Sequence, residues 1–220
     1  LISYGAMCPM SLLFERKDDD TQLKPTWSST VLHWSRQVEW PWVLENIGDL
    51  SRNRVLDAGS GYGVLKYALA KRFRNLVVVD NEPGVLVGDD VALELEINNI
   101  THVLADVRSL PFRDGYFDCV VCVSVLEHVE TGRMGAIREM IRVLRPGGKL
   151  LLTMDVITER TQPLPGDLCL AEAMSILDVL EIPRPPNTHV ASVIIPDVNG
   201  PKIVVLLVCY VKPPEDEVVL

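Results

Sequence analysis

A glycine-rich turn near residue 57 is the clearest chemical feature of the sequence. It reads Asp57-Ala58-Gly59-Ser60-Gly61 and follows a short hydrophobic run. Glycine lets a ligand approach the backbone closely, and the N-terminus of a following helix offers free N–H donors to a carboxylate. Position 64 is Val, whereas the dinucleotide-binding fingerprint has its third glycine there. The turn therefore predicts a ligand site that differs from a pyrophosphate cradle.

Two further acidic residues lie where the next two hydrophobic runs end. Asp80 closes the run that follows the turn, and Asp106, with Val107 beside it, closes the one after that. In α/β folds an acidic side chain about 20 residues beyond the glycine turn can accept hydrogen bonds from ribose hydroxyls. Because the carboxyl ends of parallel strands open onto a shared crevice, Asp57, Asp80 and Asp106 predict a site for an adenosine-containing ligand.

The elements that must position these residues follow from hydrophobic patterning. Short runs rich in Val and Leu, bounded by turn residues, predict buried strands, and apolar residues at helical spacing predict helices between them. The predicted strands are 54–58, 75–80, 102–106, 117–125 and 149–154, and the predicted helices are 62–73 and 132–144. Leu144-Arg145-Pro146-Gly147-Gly148 is predicted to end the second helix, with glycine at its C-cap. Alternating strands and helices imply parallel βαβ units.

The two ends of the chain are patterned differently. After residue 154 the sequence predicts one helix at 167–180 and then strands at 190–195 and 202–211, joined by a hairpin turn that contains Asn199-Gly200. Residues 1–50 hold all four Trp and are predicted to form a helical cap over the crevice. We therefore expect a doubly wound, Rossmann-like α/β domain over 51–220, with five parallel strands and a C-terminal antiparallel hairpin in a seven-stranded sheet.

The composition indicates which partners and which cellular compartment to expect. The 220 residues contain 21 Lys and Arg against 30 Asp and Glu, so the surface should repel phosphate backbones and anionic lipid headgroups. Nucleic acid is therefore not the expected partner. The five cysteines are odd in number and lie mostly in apolar runs, which favours reduced thiols in a cytoplasmic protein. The longest apolar run, 203–211, is too short for a membrane helix, and no signal peptide is predicted.

Taken together, the glycine turn, Asp80, the Asp106 segment and the Pro-Gly-Gly segment resemble, in order and spacing, the class I S-adenosylmethionine-dependent methyltransferases. The resemblance is to the small-domain group that includes ubiquinone and sugar methyltransferases, and it covers residues 54–155. It implies S-adenosyl-L-methionine as cofactor and S-adenosyl-L-homocysteine as product. It also implies which residues hold each part of the cofactor. The methionine end is assigned to Asp57, Gly59, Ser60 and Gly61, and the ribose to Asp80 and Asn81. The adenine is assigned to Asp106 and Val107, and the region near the sulfonium to Ser124, Val125 and Leu126.

Three other residues are candidates for the site, each with an alternative role. His128 follows the fourth strand and has the chemistry of a general base, although a packing role is open. Arg36 and Glu39 could reach the cofactor carboxylate or the acceptor from the cap, or they could be solvent-facing charges. Cys119 and Cys122 form a CxxC, but their odd separation within a strand points them to opposite faces, so neither a metal nor redox use is predicted.

The methyl acceptor is expected to be a small molecule or glycan, methylated on oxygen or nitrogen. The segment after the fourth predicted strand lacks the Asn/Asp-Pro-Pro-aromatic signature of base methylation, and the chain has no Pro-Cys nucleophile. Two alternatives remain open on the sequence. One is a protein that binds S-adenosylmethionine without turnover, and the other is a nicotinamide-dependent oxidoreductase, which would require a pyrophosphate-compatible turn.

Overall fold

The computed structural model describes residues 35–48, 54–86, 90–158, 168–181, 190–195 and 203–214. The helices are α1 (Arg36–Asn46), α2 (Leu65–Arg72), α3 (Asp90–Glu94), α4 (Arg133–Val143) and α5 (Leu170–Val179). The strands are β1 (Arg54–Ala58), β2 (Asn75–Asp80), β3 (Ile100–Leu104), β4 (Phe117–Val123), β5 (Leu144–Ile157), β6 (Val190–Ile195) and β7 (Ile203–Val211). Short 3₁₀ turns lie at Pro83–Leu86 and Leu126–His128.

The described strands form one sheet in the order β3-β2-β1-β4-β5-β7-β6. Strands β1 to β5 pair in parallel, and β7 runs antiparallel to both β5 and β6. The predicted Rossmann-like α/β architecture, mostly parallel with a C-terminal antiparallel pair, is confirmed. The turn predicted at Asn199-Gly200 lies outside the described residues. Strand order reverses between β1 and β4, and ligand crevices of open α/β sheets lie at such a switch point.

Apolar side chains cover both faces of the sheet, as expected for a doubly wound fold. Helices α1 and α2 pack on one face, and α4 and α5 pack on the other. Cys119 is buried on the α2 face and Cys122 on the α4 face, so the prediction that the CxxC side chains point in opposite directions is confirmed. Burial raises the pKa of both thiols, which keeps them protonated and unreactive.

Only the last part of the predicted N-terminal cap is described, and it is helix α1. Its residues Trp40, Trp42 and Val43 are buried in the core on the α2 face of the sheet. The Trp side chains therefore contribute apolar packing area to the core, as large aromatic residues commonly do. Residues 1–34, which include Trp27, Trp34 and Cys8, lie outside the described residues.

Several element boundaries differ from those predicted. Helix α2 begins at Leu65 and not at residue 62, because residues 59–64 form the glycine turn. Strand β3 spans Ile100–Leu104 and not 102–106, because its ladder with β2 pairs Leu76 with Ile100 and Asp80 with Leu104. Asp106 therefore lies in the loop after the strand.

The predicted glycine C-cap of α4 is wrong. The helix ends at Val143 and its C-cap is Leu144, which has an extended backbone. Gly147 does have a positive φ of 72°, but it lies beyond the cap in the first part of β5. Its N–H donates to Lys212 O at 2.8 Å, so the left-handed conformation serves the junction with the segment after β7.

Candidate active site

A cavity of about 570 Å³ opens at the carboxyl ends of β1, β2 and β4. Of the residues predicted to bind the cofactor or assist the reaction, twelve border this cavity, whereas Glu39 and Leu126 do not; the binding roles of the twelve remain predictions. They are Arg36, Asp57, Gly59, Ser60, Gly61, Asp80, Asn81, Asp106, Val107, Ser124, Val125 and His128. A volume of this size lies within the usual range for small-molecule and cofactor sites.

The glycine turn is held between β1, β2 and β4. Gly59 N–H and Ser60 N–H both donate to Val79 O, at 2.8 and 3.1 Å. Gly59 has a φ of 77°, and a Cβ there would lie 2.5 Å from Val125 Cγ2, so only glycine fits. Gly61 also has a positive φ, of 53°, yet a Cβ there would meet no atom of the described chain closer than 4.0 Å. The backbone at Gly61 is therefore open toward the cavity.

Asp80 connects this turn to the end of β2. Its Oδ2 accepts from Gly61 N–H at 2.8 Å, and its Oδ1 accepts from Glu82 N–H at 2.9 Å. A carboxylate has about four lone-pair positions, so each oxygen can still accept from a ligand hydroxyl. Asp80 therefore shapes the cavity wall and also presents acceptors to its interior.

Asp57 is a buried carboxyl at the end of β1. Burial raises its pKa to about 7; the nearby Lys66 cation opposes the shift and the Asp80 carboxylate adds to it. Lys66 is itself buried, with Nζ 3.4 Å from Gly61 O. An ammonium or sulfonium ligand beside Asp57 would favour its ionised form.

Arg108 forms a bridge at the rim of the cavity. Its guanidinium donates to both carboxylate oxygens of Asp106, with Nε at 2.9 and 3.0 Å from them, and its Nη1 donates to Thr131 O at 3.1 Å. These hydrogen bonds from Arg108 hold the pKa of Asp106 below its ordinary value. Asp106 and the loop after β4 are thereby connected across the opening.

A hydrogen-bonded network lies under the floor of the cavity. Arg36 Nη1 contacts both Glu39 Oε2 and Ser124 Oγ, and Glu39 Oε1 accepts from Ser124 Oγ at 2.6 Å and from Thr153 Oγ1. Ser124 has a φ of 49°, which is uncommon for a residue other than glycine. Neither alternative proposed for Glu39 is right, since it is fully buried beneath the cavity and does not border it.

Two more carboxyls lie near this network, that of buried Glu127 and that of partly buried Asp155. Glu127 Oε1 accepts from Asp155 N–H at 3.3 Å. Burial raises the pKa of Glu127 to about 8 and that of Asp155 to about 6; neighbouring carboxylates contribute to both shifts, and the Arg36 cation opposes the shift at Asp155. These groups therefore hold protons in a range where an exposed carboxyl would be ionised.

His128 ends the 3₁₀ turn after β4 and borders the cavity with an exposed side chain. Buried Arg133 fixes this turn: its Nε donates to Leu126 O at 2.8 Å and its Nη2 to Glu127 O at 3.4 Å. Its Nη1 donates to Glu172 Oε1 on α5 at 2.7 Å. The position of His128 therefore depends on the packing of α4 against α5.

Comparison with known proteins agrees with this geometry. Residues 56–152 match the family model described as a methyltransferase domain, and this range contains the glycine turn, Asp80, Asp106 and the turn that carries His128. Over these residues the chain is similar to the class I S-adenosylmethionine-dependent methyltransferases. The predicted resemblance is thereby confirmed for this part of the chain.

One curated relative and one solved structure illustrate what the chain is similar to. The chain is 40% identical over 119 residues to the ubiquinone/menaquinone biosynthesis C-methyltransferase UbiE of Pseudomonas fluorescens, and the match covers 50% of this chain and 44% of UbiE. It thus spans less than half the length of this curated relative. Among solved structures it resembles the YcgJ protein of Bacillus subtilis, with TM-score 0.62 and 18% identity over 80% of this chain and 99% of YcgJ.

A second solved structure with the same fold was determined with bound ligands. It is the geranyl diphosphate C-methyltransferase of Streptomyces coelicolor A3(2), in complex with Mg²⁺, geranyl diphosphate and S-adenosyl-L-homocysteine. The TM-score is 0.62 and the identity 15%, over 79% of this chain and 76% of that protein. At such identity the likeness concerns the fold.

Sequence reasoning missed three contributors to the methyltransferase site. Arg108 follows Asp106 by two residues, and an Asp-x-Arg pair can form a local ion pair, so this contact had a detectable signal. Thr153 and Arg133 had no such signal. Ser124 is 29 residues from Thr153 and Glu172 is 39 residues from Arg133, so only the turn at Leu126–His128 is near Arg133 in the sequence.

Among the helices described, none has the length and apolar character required to cross a membrane.

Proposed function

We propose that this protein transfers a methyl group from S-adenosyl-L-methionine to a small organic acceptor. The observation that carries the proposal is the set of three acidic side chains, Asp57, Asp80 and Asp106, bordering one cavity beside an open glycine turn. Of the two arginines in the cavity lining, Arg108 is bonded through all three guanidinium nitrogens to Asp106 and Thr131, so the three acidic side chains outnumber the arginines that could bind a phosphate. The lining thus suits a ligand that carries ammonium and sulfonium charges and no phosphate.

The fit of the cofactor is supported by individual groups of the lining. The buried Ser60 Oγ has no hydrogen-bond partner within the described residues, and an unsatisfied buried hydroxyl favours a ligand partner. Asp57, Gly59, Ser60 and Gly61 would hold the methionine end. Asp80 and Asn81 would hold the ribose, Asp106 and Val107 the adenine, Ser124 and Val125 the sulfonium, and Arg36 the carboxylate.

The chain's own residues would contribute orientation and a proton acceptor. The cofactor would supply an electrophilic methyl group, which the acceptor attacks in line with the departing thioether sulfur of S-adenosylhomocysteine, so alignment of the acceptor would provide much of the acceleration. His128 borders the cavity and would accept a proton from a hydroxyl or acidic carbon acceptor. Two of the proteins named above, UbiE and the geranyl diphosphate enzyme, are C-methyltransferases by name, so carbon acceptors belong beside the expected oxygen and nitrogen acceptors.

The proposal is tested by binding and by turnover. Calorimetry should show binding of S-adenosylmethionine and S-adenosylhomocysteine and no binding of NAD. A panel of phenols, amines, sugars and acidic carbon compounds should then yield S-adenosylhomocysteine with at least one acceptor. Cofactor binding with no product across the panel would favour the alternative of a binding protein, and tight binding of NAD alone would favour an oxidoreductase.

His128 provides a separate test of the catalytic assignment. We expect His128→Asn to lower turnover on a hydroxyl or carbon acceptor by about a hundredfold to ten-thousandfold, because a general base contributes that much. The affinity for S-adenosylhomocysteine should change little. Full activity in this variant would show that His128 is not the base. Glu130 provides the matched control, because it borders the same cavity.

A further inference from the structure

The network beneath the cavity is centred on the carboxylate of Glu39. Glu39 is completely buried, and a buried carboxylate is costly unless hydrogen-bonded donors compensate it. Here three donors do so: Arg36 Nη1, Ser124 Oγ and Thr153 Oγ1. Arg36 belongs to α1, Ser124 directly follows β4, and Thr153 lies within β5, so Glu39 fixes α1 to the sheet at one position.

The network also determines the backbone at the floor of the cavity. Ser124 N–H donates to Thr153 O at 3.1 Å and lies 3.2 Å from Thr153 Oγ1, while its hydroxyl donates to Glu39. These contacts hold Ser124 at a positive φ, a conformation that persists only when its surroundings enforce it. Glu39 therefore supports the cavity floor without touching the cavity.

Arg36 is the member of the network that reaches the ligand space. Its Nη1 is used by Ser35, Glu39 and Ser124, whereas its Nε and Nη2 have no hydrogen bond to any described residue. The side chain is 23% exposed and borders the cavity. A guanidinium fixed on one nitrogen thus presents two other nitrogens, the geometry that matches a carboxylate.

The location of Arg36 indicates which carboxylate of a ligand it would bind. Arg36 and Trp40 are one helical turn apart on α1, and Trp40 Cζ2 lies 3.8 Å from the position of a Cβ at Gly63, next to the glycine turn. Arg36 thus lies at the β1 and β4 end of the cavity, with Asp57, and Asp80 and Asp106 follow β2 and β3. A carboxylate group beside Arg36 and an ammonium group beside Asp57 would complete an α-amino acid.

We propose that Glu39 is a positioning residue that holds Arg36 and Ser124 so that Arg36 binds the carboxylate of S-adenosylmethionine. The proposal rests on the proposed function. It assigns to a buried residue, outside the cavity, the task of orienting the guanidinium through a hydrogen-bonded ion pair. The same network makes binding of the cofactor's amino-acid end depend on where α1 packs.

The test compares two ligands that differ only in that carboxylate. Affinities of Glu39→Gln for S-adenosylmethionine and for decarboxylated S-adenosylmethionine are measured by calorimetry. We expect about a tenfold loss for the first, in line with a lost charge-assisted hydrogen bond, and no change for the second. Glu45→Gln, on the exposed face of the same helix, is the matched control and should bind both ligands normally.

Each outcome decides the proposal. Equal losses for both ligands would mean that Glu39 only maintains the fold, and no loss for either would mean that it does not position Arg36; both overturn the proposal. If Glu39→Gln does not fold, Arg36→Met removes only a partly exposed side chain, and it must show the same selective loss for the carboxylate-bearing ligand. A wild-type protein that binds neither ligand would instead overturn the proposed function.

Discussion

Asp80 belongs both to the fold of the glycine turn and to the wall of the cavity. Because its oxygens accept from Gly61 N–H and Glu82 N–H, its removal affects two turns as well as the ligand. We expect Asp80→Ala to weaken S-adenosylhomocysteine binding by about 1.5 to 3 kcal/mol, the range for hydrogen bonds to a charged group. Asp80→Asn should lose less, because one acceptor oxygen remains.

Calorimetry with S-adenosylhomocysteine measures this effect, and a parallel thermal melt separates it from loss of the turn structure. Glu94→Ala on the exposed surface of α3 serves as a control with the same loss of a carboxylate. An unchanged dissociation constant in folded Asp80→Ala would rule out the ribose assignment.

Gly59 and Gly61 share a positive φ but differ in their surroundings. Alanine at either position costs about 1 to 2 kcal/mol of folding free energy for the left-handed backbone. Gly59→Ala should cost more, because its Cβ would overlap Val125, whereas Gly61→Ala has space and should mainly affect ligand binding.

Thermal melts of both variants measure the difference. Adding Val125→Ala to Gly59→Ala should restore part of the stability. Gly135→Ala is the control, since a Cβ there meets nothing within 4 Å inside α4, and it should stabilise by about 0.5 to 1 kcal/mol. Equal melting temperatures for the Gly59 and Gly61 variants would contradict the packing argument.

At the scale of elements, β1, β2 and β6 have the boundaries that hydrophobic runs predict. These runs are bounded by polar or turn residues, so the pattern alone defines them. Strand β3 is different: it lies at the edge of the sheet, its burial is partial, and its register with β2 fixes its ends. A single sequence contains no direct signal for that register.

Some features of the candidate site could be predicted from the sequence, and others could not. Its local features, which are the glycine turn and the acids at strand ends, follow from spacing along the chain. The network around Glu39 does not, because its partners Ser124 and Thr153 are 85 and 114 residues away. An acidic residue on a helix is usually exposed, and only its tertiary partners reverse that expectation.

The turn at Leu126–His128 is positioned by two helices, which gives a prediction for Arg133. Arg133→Gln should remove the donors that hold Leu126 O and Glu127 O, and the turn that carries His128 should shift. Since small displacements of a catalytic group are costly, we expect turnover to fall about tenfold or more with little change in cofactor affinity.

Steady-state kinetics on an accepted substrate, together with calorimetric binding of S-adenosylhomocysteine, separate the two effects. Arg138→Gln on the exposed face of α4 is the matched control. A proportionate loss of cofactor affinity in Arg133→Gln would show that Arg133 supports the whole cavity and has no selective effect on the turn.

For the whole molecule, buried acids and exposed ion pairs impose opposite dependences of stability on pH. The pKa of Asp57 is raised to about 7 and that of Glu127 to about 8, chiefly by burial. In the unfolded chain both carboxyls have a pKa near 4. Between these values the folded protein holds protons that the unfolded chain releases, so stability falls as pH rises. Hydrogen bonds from arginines lower the pKa of Asp106 and Glu139, so stability is also lost in acid as these protonate.

We therefore expect the ligand-free protein to be most stable near pH 4 to 5 and to lose stability up to about pH 8, by at most roughly 1.4 kcal/mol per pH unit for each buried acid. Urea unfolding across this range measures the slope. Glu127→Gln should flatten it, whereas Glu130→Gln on the exposed rim should not. S-adenosylhomocysteine should stabilise the protein more at pH 8 than at pH 5.5, because its ammonium favours ionised Asp57. A ligand effect independent of pH, or one that persists unchanged in Asp57→Asn, would contradict the placement of that ammonium beside Asp57.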